Sequence, residues 1–388
     1  MSNQINKQSL TICKIIDNNF DKNRNAGVEW ILNYGIWIVL AYFVLLLIYK
    51  IIIQSYRYNY YYANKSFKKW IKELNITSVN SCDVNVGTPI YNPDGSLASN
   101  KLLCNFYVAS SYKSYLVGGE NGWVSKDAIS QILKCGARLI DIDIFNNPGW
   151  GEDAEPYVAN GKEKGQYIYS KNKIHFKDIC ETILDGAFSG TTDPLFLNLR
   201  LNVENNFYTL DKVADILTEV FDDRLLPKKY SYQRSIIGLA NIDDLKGKIV
   251  IFADKYFKNS RLDEFVNYSP QNNFMRFLTR EELVNSHDFS EQVDFNRRWL
   301  TIVFNDDDEK NYDAWSSWVY GCQFYCINYK YKDDHMKSYI DRFKESSFIF
   351  KPYKLLYHPP TIKEPPPQDP KLSFANINVE TPFYSMKI

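Results

Sequence analysis

The sequence predicts an α/β fold, a TIM-type barrel of eight alternating strands and helices that follows a single transmembrane helix. An uncharged run of twenty residues, Trp30 to Tyr49, lies near the N-terminus. Beyond residue 103, short β-rich runs alternate with helical stretches, and this alternation is typical of parallel α/β folds. The alternating region covers roughly 250 residues, the usual length of an eight-stranded barrel.

The composition excludes some classes of protein. The chain carries 46 basic and 46 acidic residues, so no net charge favours binding to nucleic acid. Aromatic residues make up 16% of the chain, which indicates a folded core. The cysteines form no CxxC pair and no metal spacing with the histidines, so we expect reduced, mostly buried thiols. A disulfide framework is the alternative. The seven cysteines are Cys13, Cys82, Cys104, Cys135, Cys180, Cys322 and Cys326.

The uncharged run has the length of a membrane span. Twenty helical residues extend about 30 Å, the thickness of the hydrocarbon core of a bilayer. Lys50 can reach the headgroups, and residues 51–53 extend the apolar run, so the predicted span is Trp30–Ile53. A buried core helix is the alternative. A cleaved signal peptide is disfavoured because no small-residue cleavage site follows the run.

Flanking charges predict the orientation of this span. Three basic residues precede it and six follow it, which places the large C-terminal part on the cytoplasmic side. Three N-glycosylation sequons, at Asn64, Asn75 and Asn267, argue for the opposite side. The basic residues counted are Lys14, Lys22 and Arg24 before the span, and Lys50, Arg57, Lys65, Lys68, Lys69 and Lys72 after it.

The predicted organisation divides the chain into five parts. Residues 1–29 form a polar segment that we expect to be mobile, and the span covers 30–53. Residues 54–100 combine a basic, aromatic helix with a connector that contains the turn Asn92-Pro93-Asp94-Gly95. The barrel occupies 101–355, and residues 356–388 form a proline-rich, extended arm.

The helix over residues 55–74 has two interpretations. Its tyrosines and tryptophan suit a membrane interface, and its lysines suit anionic headgroups. The alternative is a plain spacer helix. The lysines predicted to contact the bilayer are Lys65, Lys68, Lys69 and Lys72.

Eight motifs in the alternating region occur in an order that resembles the two barrel halves of eukaryotic phosphoinositide-specific phospholipase C. The resemblance implies a first half over 103–227 and a second over 228–355, and the transmembrane helix is expected to replace the family's lipid-binding domains. The motifs are FYVASSYKSYL (106–116), KCGARLIDIDIF (134–145), EPYVANG (155–161), KIHFKDICETILDGAF (173–188), DPLFLNLRLN (193–202), LKGKIVIF (245–252), NYDAWSSWVYGCQFYCINY (311–329) and FIFKPY (348–353).

The resemblance implies that both catalytic positions have changed. Two histidines transfer protons in the family, and the matching positions here are Tyr112 and Asn160. A tyrosine with a pKa near 10 is a poor base at pH 7, and an asparagine does not exchange a proton. We expect the four histidines of the chain to be structural or exposed, since none falls on a motif position. They are His175, His287, His335 and His358.

The resemblance implies that the calcium site has changed as well. The family's ligands, an Asn, two Glu and an Asp, match Lys113, Asp141, Arg200 and Asp143. Two ligands have become cations, and calcium requires six to eight oxygens, so we expect no calcium unless the chain is an active enzyme. We hypothesise that Lys113 and Arg200 pair with Asp141 and Asp143. The alternative is that these side chains face solvent.

The positions that contact the lipid headgroup in the family are also altered. Its two phosphate-binding lysines match Phe252 and Asp254, and its Arg-x-Tyr contacts match Ile302 and Phe304. Bidentate phosphate recognition by arginine is lost with the change to isoleucine. Phe252, Ile302 and Phe304 predict a cleft that is more apolar than the family's.

These changes predict a membrane-anchored, catalytically inactive phospholipase-like barrel with a structural or scaffold role. A partner protein would bind the barrel or the proline-rich arm. One alternative is an active phosphodiesterase that uses Asp141 and Asp143 with a metal or with Lys113. Another is a lipid-binding module without turnover. The composition is typical of an AT-rich genome, and in a large DNA virus the barrel would lie between an internal virion membrane and the capsid.

Overall fold

The structure is a computed structural model that describes residues 2–74, 101–119, 121–146, 155–162, 167–203, 206–286, 288–306, 308–359, 376 and 378–387. The predicted connector over residues 75–100, with Asn75 and Cys82, lies outside these ranges. His287 and residues 360–375 of the proline-rich arm also lie outside them. Five cysteine thiols of the described part are buried and unpaired, as expected for a reduced protein: Cys104, Cys135, Cys180, Cys322 and Cys326.

A single long helix, α1 (Ser2–Glu73), opens the chain. It begins at Ser2 and includes the polar segment, since no proline interrupts this sequence. The predicted mobility of residues 1–29 stays a prediction. The side chains around Trp37, Leu45 and Ile51 are exposed, which does not agree with a buried core helix. Within the described residues, α1 is the one helix that is long and apolar enough to cross a membrane.

The described part of the chain then contains sixteen strands, and seven of them form a continuous parallel sheet in the order β10-β9-β4-β1-β13-β12-β11. The strands are β1 (Phe106–Ser111), β2 (Leu116–Val117), β3 (Trp123–Val124), β4 (Leu139–Asn146), β5 (Pro156–Val158), β6 (Gly161–Lys162), β7 (Tyr167–Ile168), β8 (Ile174–His175), β9 (Leu195–Asn202), β10 (Ile249–Ala253), β11 (Met275–Thr279), β12 (Leu300–Phe304), β13 (Phe324–Ile327), β14 (Phe348–Phe350), β15 (Asn378–Thr381) and β16 (Tyr384–Lys387).

Helices connect most of the parallel strands and cover the outside of the sheet. Several begin at a side chain that caps the first turn: Ser125 accepts a hydrogen bond from the amide of Ala128, and Asp333 accepts one from Met336. The helices are α2 (Lys126–Lys134), α3 (Phe176–Ala187), α4 (Phe207–Phe221), α5 (Arg280–Val284), α6 (Phe289–Arg298), α7 (Trp315–Trp318) and α8 (Asp334–Arg342).

Alternation along the strands divides the core into two layers. In β10, Val250 and Phe252 belong to the cluster inside the barrel, whereas Ile249 and Ile251 belong to the cluster between the sheet and its helices. The barrel differs from the predicted eight strands where it closes. Between β10 and β11 the described chain provides one parallel bridge, Phe252 to Tyr268, in place of a regular strand.

The C-terminal part of α1 packs against the barrel, which the sequence analysis did not predict. Phe67, Trp70 and Ile71 are buried in the outer core layer. The indole Nε1 of Trp70 donates a hydrogen bond to the carbonyl of Tyr329 at 3.1 Å. We call this contact the docking seam, and its residues on α1 are Tyr56, Tyr60, Asn64, Phe67, Lys68, Trp70, Ile71 and Glu73.

The docking seam changes the interpretation of the predicted headgroup lysines. Lys68 pairs with Asp127 of the barrel at 2.9 Å, and Lys69 lies 4.0 Å from Glu73. The ammonium of Lys65 lies 5.8 Å from the centre of the Tyr61 ring. Neither a free interfacial helix nor a plain spacer describes this segment, because one of its faces belongs to the barrel core.

The end of the proline-rich arm also differs from the prediction of an extended segment. Strands β15 and β16 pair in an antiparallel hairpin, with Asn378 opposite Lys387. Phe383, in the turn of this hairpin, is 93% exposed. A two-stranded hairpin on its own is marginally stable in water, so its exposed apolar side chains provide a candidate surface for a partner.

Two of the three sequons are incompatible with glycosylation of the folded chain. Asn64 is buried, and its amide oxygen accepts a hydrogen bond from the hydroxyl of Ser125. Asn267 is also buried and accepts one from the amide of Ile251 at 2.8 Å. A glycan on either residue would require these contacts to break, so the two sequons do not oppose a cytoplasmic barrel.

We predict that Asn64→Ala lowers the free energy of unfolding by about 1–3 kcal/mol, because the Ser125 hydroxyl and the α1 backbone lose a buried partner. Chemical denaturation of the full chain in detergent measures this change. Asn121→Ala, at an exposed position, is the control and should have little effect. A glycosidase-sensitive mass on Asn64 in the native chain would contradict the buried assignment.

Candidate functional site at the barrel mouth

Polar side chains meet where several parallel strands end, the usual location of functional sites in barrel folds. Tyr112 and Lys113 directly follow β1, and Asp141 and Asp143 lie on β4. The pairing of β4 with β9 places Arg200 directly opposite Asp143 and Asn198 directly opposite Asp141. The register therefore brings the sequence-predicted metal positions of these two strands together.

Arg200 occupies the space between the two aspartates. Its Nη2 lies 2.5 Å from Oδ2 of Asp141, and its Nε lies 3.4 Å from Oδ1 of Asp143. The two carboxylates hold the pKa of Arg200 well above its ordinary value although burial opposes this, so the guanidinium remains charged. The structure thus contains the pairing that the sequence analysis hypothesised for Arg200, and these side chains do not face solvent.

Aromatic rings and amides complete the surroundings of this ion pair. The guanidinium carbon of Arg200 lies 4.7 Å from the centre of the Tyr112 ring and 5.1 Å from that of Phe304, within cation–π range. The amide of Asn198 donates to Asp141 at 2.8 Å, and the hydroxyl of Tyr115 donates to Asp143 at 2.6 Å. The carboxylate oxygens are therefore already occupied by donors of the chain itself.

Lys113 does not pair with the aspartates, so this half of the hypothesis is wrong. Only its backbone amide reaches Asp141, with a hydrogen bond of 3.0 Å. Its ammonium pairs with Glu309, in the turn after β12, and Lys330 pairs with the same carboxylate. Lys113 has a φ of 41°, and this left-handed backbone lets the amide and the side chain serve different partners.

Glu309 and Lys330 are site residues that the sequence analysis missed. Burial raises the pKa of Glu309, but Lys113 and Lys330 outweigh burial and hold the pKa below its ordinary value. Among the described residues, the ion pairs at the mouth therefore join three cations, Arg200 and the two lysines, to three acids, the two aspartates and Glu309.

The residues at the metal positions do not fit calcium. Calcium takes six to eight oxygen ligands, whereas Asp141 and Asp143 already face a guanidinium and three side-chain donors. Within the described ranges, no cluster of three or more His, Cys, Asp or Glu side chains is arranged to hold a metal ion. A divalent ion placed here would also face the positive charge of Arg200 at close range.

The two catalytic positions hold residues that are poor at proton transfer. Tyr112 is buried, and burial raises its pKa above the ordinary value of 10, further from neutral pH. Asn160 is buried in the loop before β6, and its backbone carbonyl accepts a hydrogen bond from Tyr169 at 2.7 Å. The described histidines His175, His335 and His358 are all exposed.

The four headgroup positions do not lie together. Phe252 and Ile302 are buried in the interior of the barrel, where Phe252 packs against Phe196 and Phe324. Of the three apolar positions only Phe304 reaches the mouth, so the prediction of a more apolar cleft is wrong for the other two. Residues two apart on a strand point to the same side, so Ile302 points into the barrel as Phe304 does but lies one layer deeper.

Asp254, the fourth headgroup position, is a largely buried carboxyl near the mouth. Its Oδ1 accepts hydrogen bonds from the amides of Leu201 at 3.0 Å and Lys255 at 2.8 Å. Burial nevertheless raises the pKa of Asp254 to about 7. The fold therefore stabilises the neutral carboxylic acid, and neutral pH lies close to its titration.

We predict that Asp254 makes the chain less stable as pH rises. A carboxyl whose pKa is higher in the folded than in the unfolded state stabilises the fold at low pH, and this stability is lost through pH 7. The loss should amount to roughly 3 kcal/mol between pH 4 and pH 8. Denaturant titrations of the wild type and Asp254→Asn measure it: the difference between the two should depend on pH, whereas that for the exposed control Asp185→Asn should not.

Comparison with known proteins identifies the domain that contains this site. Residues 99–255 match the family described as phosphatidylinositol-specific phospholipase C (PI-PLC), X domain. The chain is a PI-PLC-like protein. The match includes β1, β4, β9 and β10, and with them Tyr112, Lys113, Asp141, Asp143 and Arg200.

Two curated relatives illustrate the extent of the similarity. The PI-PLC-like chain is 32% identical over 154 residues to human 1-phosphatidylinositol 4,5-bisphosphate phosphodiesterase eta-1. The alignment covers 39% of this chain and 8% of the relative. It is 28% identical over 177 residues to 1-phosphatidylinositol 4,5-bisphosphate phosphodiesterase beta egl-8 of Caenorhabditis elegans. This alignment covers 45% of this chain and 11% of the relative. The chain thus spans about a tenth of the length of the curated relatives it matches.

Solved structures support the fold of the PI-PLC-like chain. The crystal structure of S. officinalis PLC21 aligns with a TM-score of 0.56 at 21% identity, covering 65% of this chain and 37% of that one. L. pealei PLC21 aligns with a TM-score of 0.55 at the same identity. These alignments cover 65% of the chain, a larger share than residues 99–255.

Proposed function

We propose that this chain is a membrane-anchored PI-PLC-like protein whose barrel does not hydrolyse phosphoinositides and acts as a scaffold. The observation that carries the proposal is the guanidinium of Arg200, which lies between Asp141 and Asp143 at 2.5 and 3.4 Å. It supplies from within the chain the positive charge that a metal supplies in the family. A fixed cation stabilises the fold, but it has no open coordination position for a substrate oxygen.

The catalytic positions support the same proposal independently. Hydrolysis of a phosphodiester by this family's route requires groups that accept and donate a proton near pH 7. The raised pKa of Tyr112 excludes it as a base at that pH, and the side-chain amide of Asn160 neither accepts nor releases a proton near neutral pH. Loss of the metal and of both proton-transfer groups is therefore expected to abolish turnover.

Anchoring by α1 is the second part of the proposal. The span Trp30–Ile53 has the length and composition of a transmembrane segment, and none of its described side chains is buried. The excess of basic residues after the span supports a barrel on the cytoplasmic side. Lys65, Lys69 and Lys72 remain candidates for headgroup contacts, and the exposed hairpin of β15 and β16 is a candidate for a protein partner.

The test is calcium-dependent hydrolysis of phosphatidylinositol and phosphatidylinositol 4,5-bisphosphate by the full chain in mixed micelles, beside an authentic relative. We expect no turnover above background and no calcium-dependent shift of the unfolding temperature. Turnover that is lost on changing Asp141 or Asp143 would contradict the proposal.

A gain-of-binding variant makes the negative result informative. Lys113→Asn with Arg200→Glu restores the residue types that the family uses at these positions, and asparagine tolerates the left-handed backbone at residue 113. This variant should gain a calcium-dependent rise in unfolding temperature while still lacking turnover, because Tyr112 and Asn160 are unchanged. Equal calcium responses of the variant and the wild type would contradict the role assigned to Arg200.

A phosphodiesterase with rearranged groups is the second candidate, and Asp254 is the observation that favours it. A carboxyl with a pKa of about 7 near the mouth has the properties of a general acid or base. Turnover that follows an ionisation near pH 7 and disappears in Asp254→Asn would support this candidate over the scaffold.

A further inference from the structure

The face of α1 opposite the docking seam is a stripe of exposed tyrosines and lysines. Its residues lie on one helix face, where positions three and four apart are neighbours. Tyr58 and Tyr61 are each 58% exposed, and the side chain of Lys69 is 79% exposed. Since the seam occupies the other side of the helix, this face can contact a partner. We call it the Tyr–Lys stripe, and its residues are Tyr58, Tyr61, Tyr62, Lys65, Lys69 and Lys72.

In the anchored protein, the lysines of the stripe would lie far from the bilayer. A helix rises 1.5 Å per residue, so Lys65 and Lys72 lie about 18 and 28 Å beyond Ile53 along α1. The headgroup layer adds only about 5–8 Å on each side of the hydrocarbon core, and the Debye length is about 8 Å. A tilt of about 40° still leaves Lys72 roughly 22 Å from the core. The far end of the stripe therefore fits a protein partner better than lipid headgroups.

The chain itself carries a surface of opposite charge, on α3 and α4. These two helices contain six acids and two lysines, a net charge of −4, which Arg261 lowers to −3 by pairing with Asp215 at 2.6 Å. A groove of about 340 Å³ between them is lined in part by Phe176 and Ile216. We call this surface the α3–α4 groove. An apolar groove bordered by carboxylates is complementary to tyrosine rings and ammonium groups. The six acids are Asp178, Glu181, Asp185, Asp211, Asp215 and Glu219.

The two surfaces begin near the same level of the molecule. The hydroxyl of Tyr56, three residues beyond the span, donates a hydrogen bond to the carbonyl of Lys171 at 2.8 Å. Helix α3 begins five residues after Lys171 and runs about 18 Å toward the opposite edge of the barrel. Along α3 the groove comes first and Glu181 and Asp185 follow, just as the lysines follow the tyrosines along α1. The order of apolar and charged groups therefore matches between the two surfaces.

We propose that the Tyr–Lys stripe of one copy of the chain binds the α3–α4 groove of a second copy in the same membrane. Two stripes would repel each other, so unlike surfaces meet. A contact between two different surfaces can repeat, and it would arrange the barrels in rings or rows. The inference rests on the membrane anchoring under the proposed function, because anchoring gives all copies one orientation and raises their effective concentration. It does not depend on the absence of turnover.

The experiment measures resonance energy transfer between copies of the full chain in phosphatidylcholine vesicles, with a donor or an acceptor dye at the C-terminus. Flotation of the chain with the vesicles is measured first, since a chain that does not float contradicts the anchoring. For a chain that floats, we expect transfer above the level of random encounters, and unlabelled chain should compete it away. A floating chain whose transfer stays at the random level would overturn this proposal and leave the anchoring intact.

Charge reversal tests which surfaces meet. The stripe variant is Lys65→Glu with Lys69→Glu and Lys72→Glu, and the groove variant is Glu181→Lys with Asp185→Lys and Glu219→Lys. Each variant alone should associate about tenfold more weakly than the wild type, because like charges then face each other. A chain with all six substitutions should regain most of the transfer, since its surfaces are again opposite in charge. Failure of the six substitutions to restore transfer would overturn the pairing of these two surfaces.

A matched control and a measurement without substitutions complete the test. The control is Lys229→Glu with Lys310→Glu and Lys354→Glu, three exposed lysines in the second half of the barrel, and it should associate like the wild type. Raising the ionic strength from about 0.01 M to about 1 M shortens the Debye length from about 30 Å to about 3 Å, so transfer in the wild type should fall. Transfer that does not change with salt, or a control as weak as the stripe variant, would overturn the proposal.

Discussion

Replacing Arg200 by methionine is expected to lower the free energy of unfolding by about 3–5 kcal/mol, because it leaves two buried carboxylates without their cation. Asp141 is fully buried and Asp143 nearly so, so water cannot replace the guanidinium. Methionine keeps much of the length of arginine and its contact with the Tyr112 ring, which separates the loss of charge from the loss of packing. Denaturant unfolding of the full chain in detergent measures the change.

A compensating variant provides the control for this prediction. Arg200→Met combined with Asp141→Asn and Asp143→Asn removes the cation and both anions, and it should recover most of the lost stability. Lys228→Met breaks an exposed pair with Glu264 and should change stability by less than about 1 kcal/mol. If Arg200→Met is no more destabilising than Lys228→Met, the ion pair has no structural role.

Replacing Trp70 by alanine is expected to destabilise the barrel by about 3–5 kcal/mol, since the substitution leaves a cavity in the docking seam. The indole is 8% exposed, lies in the outer core layer and donates a hydrogen bond to Tyr329. Trp315→Ala is the matched control, because that tryptophan is 62% exposed. Tryptophan fluorescence during unfolding in detergent can report both variants.

The same seam predicts how truncated chains behave. A chain that begins at residue 100 lacks Phe67, Trp70 and Ile71 and exposes the apolar surface that they cover. We expect it to aggregate or unfold, whereas a chain that begins near residue 54 retains the seam. Equal stability of the two truncated chains, or equal effects of Trp70→Ala and Trp315→Ala, would show that α1 and the barrel are independent.

The centre of the site could be predicted because its residues lie on two neighbouring strands whose sequence motifs are recognisable. Asp141, Asp143 and Arg200 lie on two strands that follow each other in the parallel part of the fold, and sheet register brings them together. Glu309 could not be found in this way, since it lies 196 residues from Lys113 along the chain. A single glutamate in an acidic loop carries no signal that points to a particular lysine across the barrel.

The docking seam did leave a signal in the sequence, and it was interpreted differently. Phe67, Trp70, Ile71 and Leu74 recur at intervals of three and four residues, the spacing of one apolar helix face. Helices at a membrane interface are also rich in aromatic and basic residues, so the composition of this segment favoured contact with the bilayer. The spacing of its apolar residues favoured packing of one helix face against the barrel. The structure agrees with periodicity for this face, and the lysines on the other side remain exposed.

In the membrane-anchored protein that we propose, the continuous course of α1 would couple the orientation of the barrel to that of the span. No proline interrupts the helix and no glycine follows Gly35, so nothing in the sequence provides a joint between the span and the seam. The seam extends about 25 Å along the helix axis, from Tyr56 to Glu73. Spans tilt when the hydrocarbon layer is thinner than their apolar length, and a tilt of about 20° would swing the far end of the seam sideways by about 9 Å. A change in membrane thickness would thus tilt α1 and change the orientation of the whole barrel relative to the lipid surface.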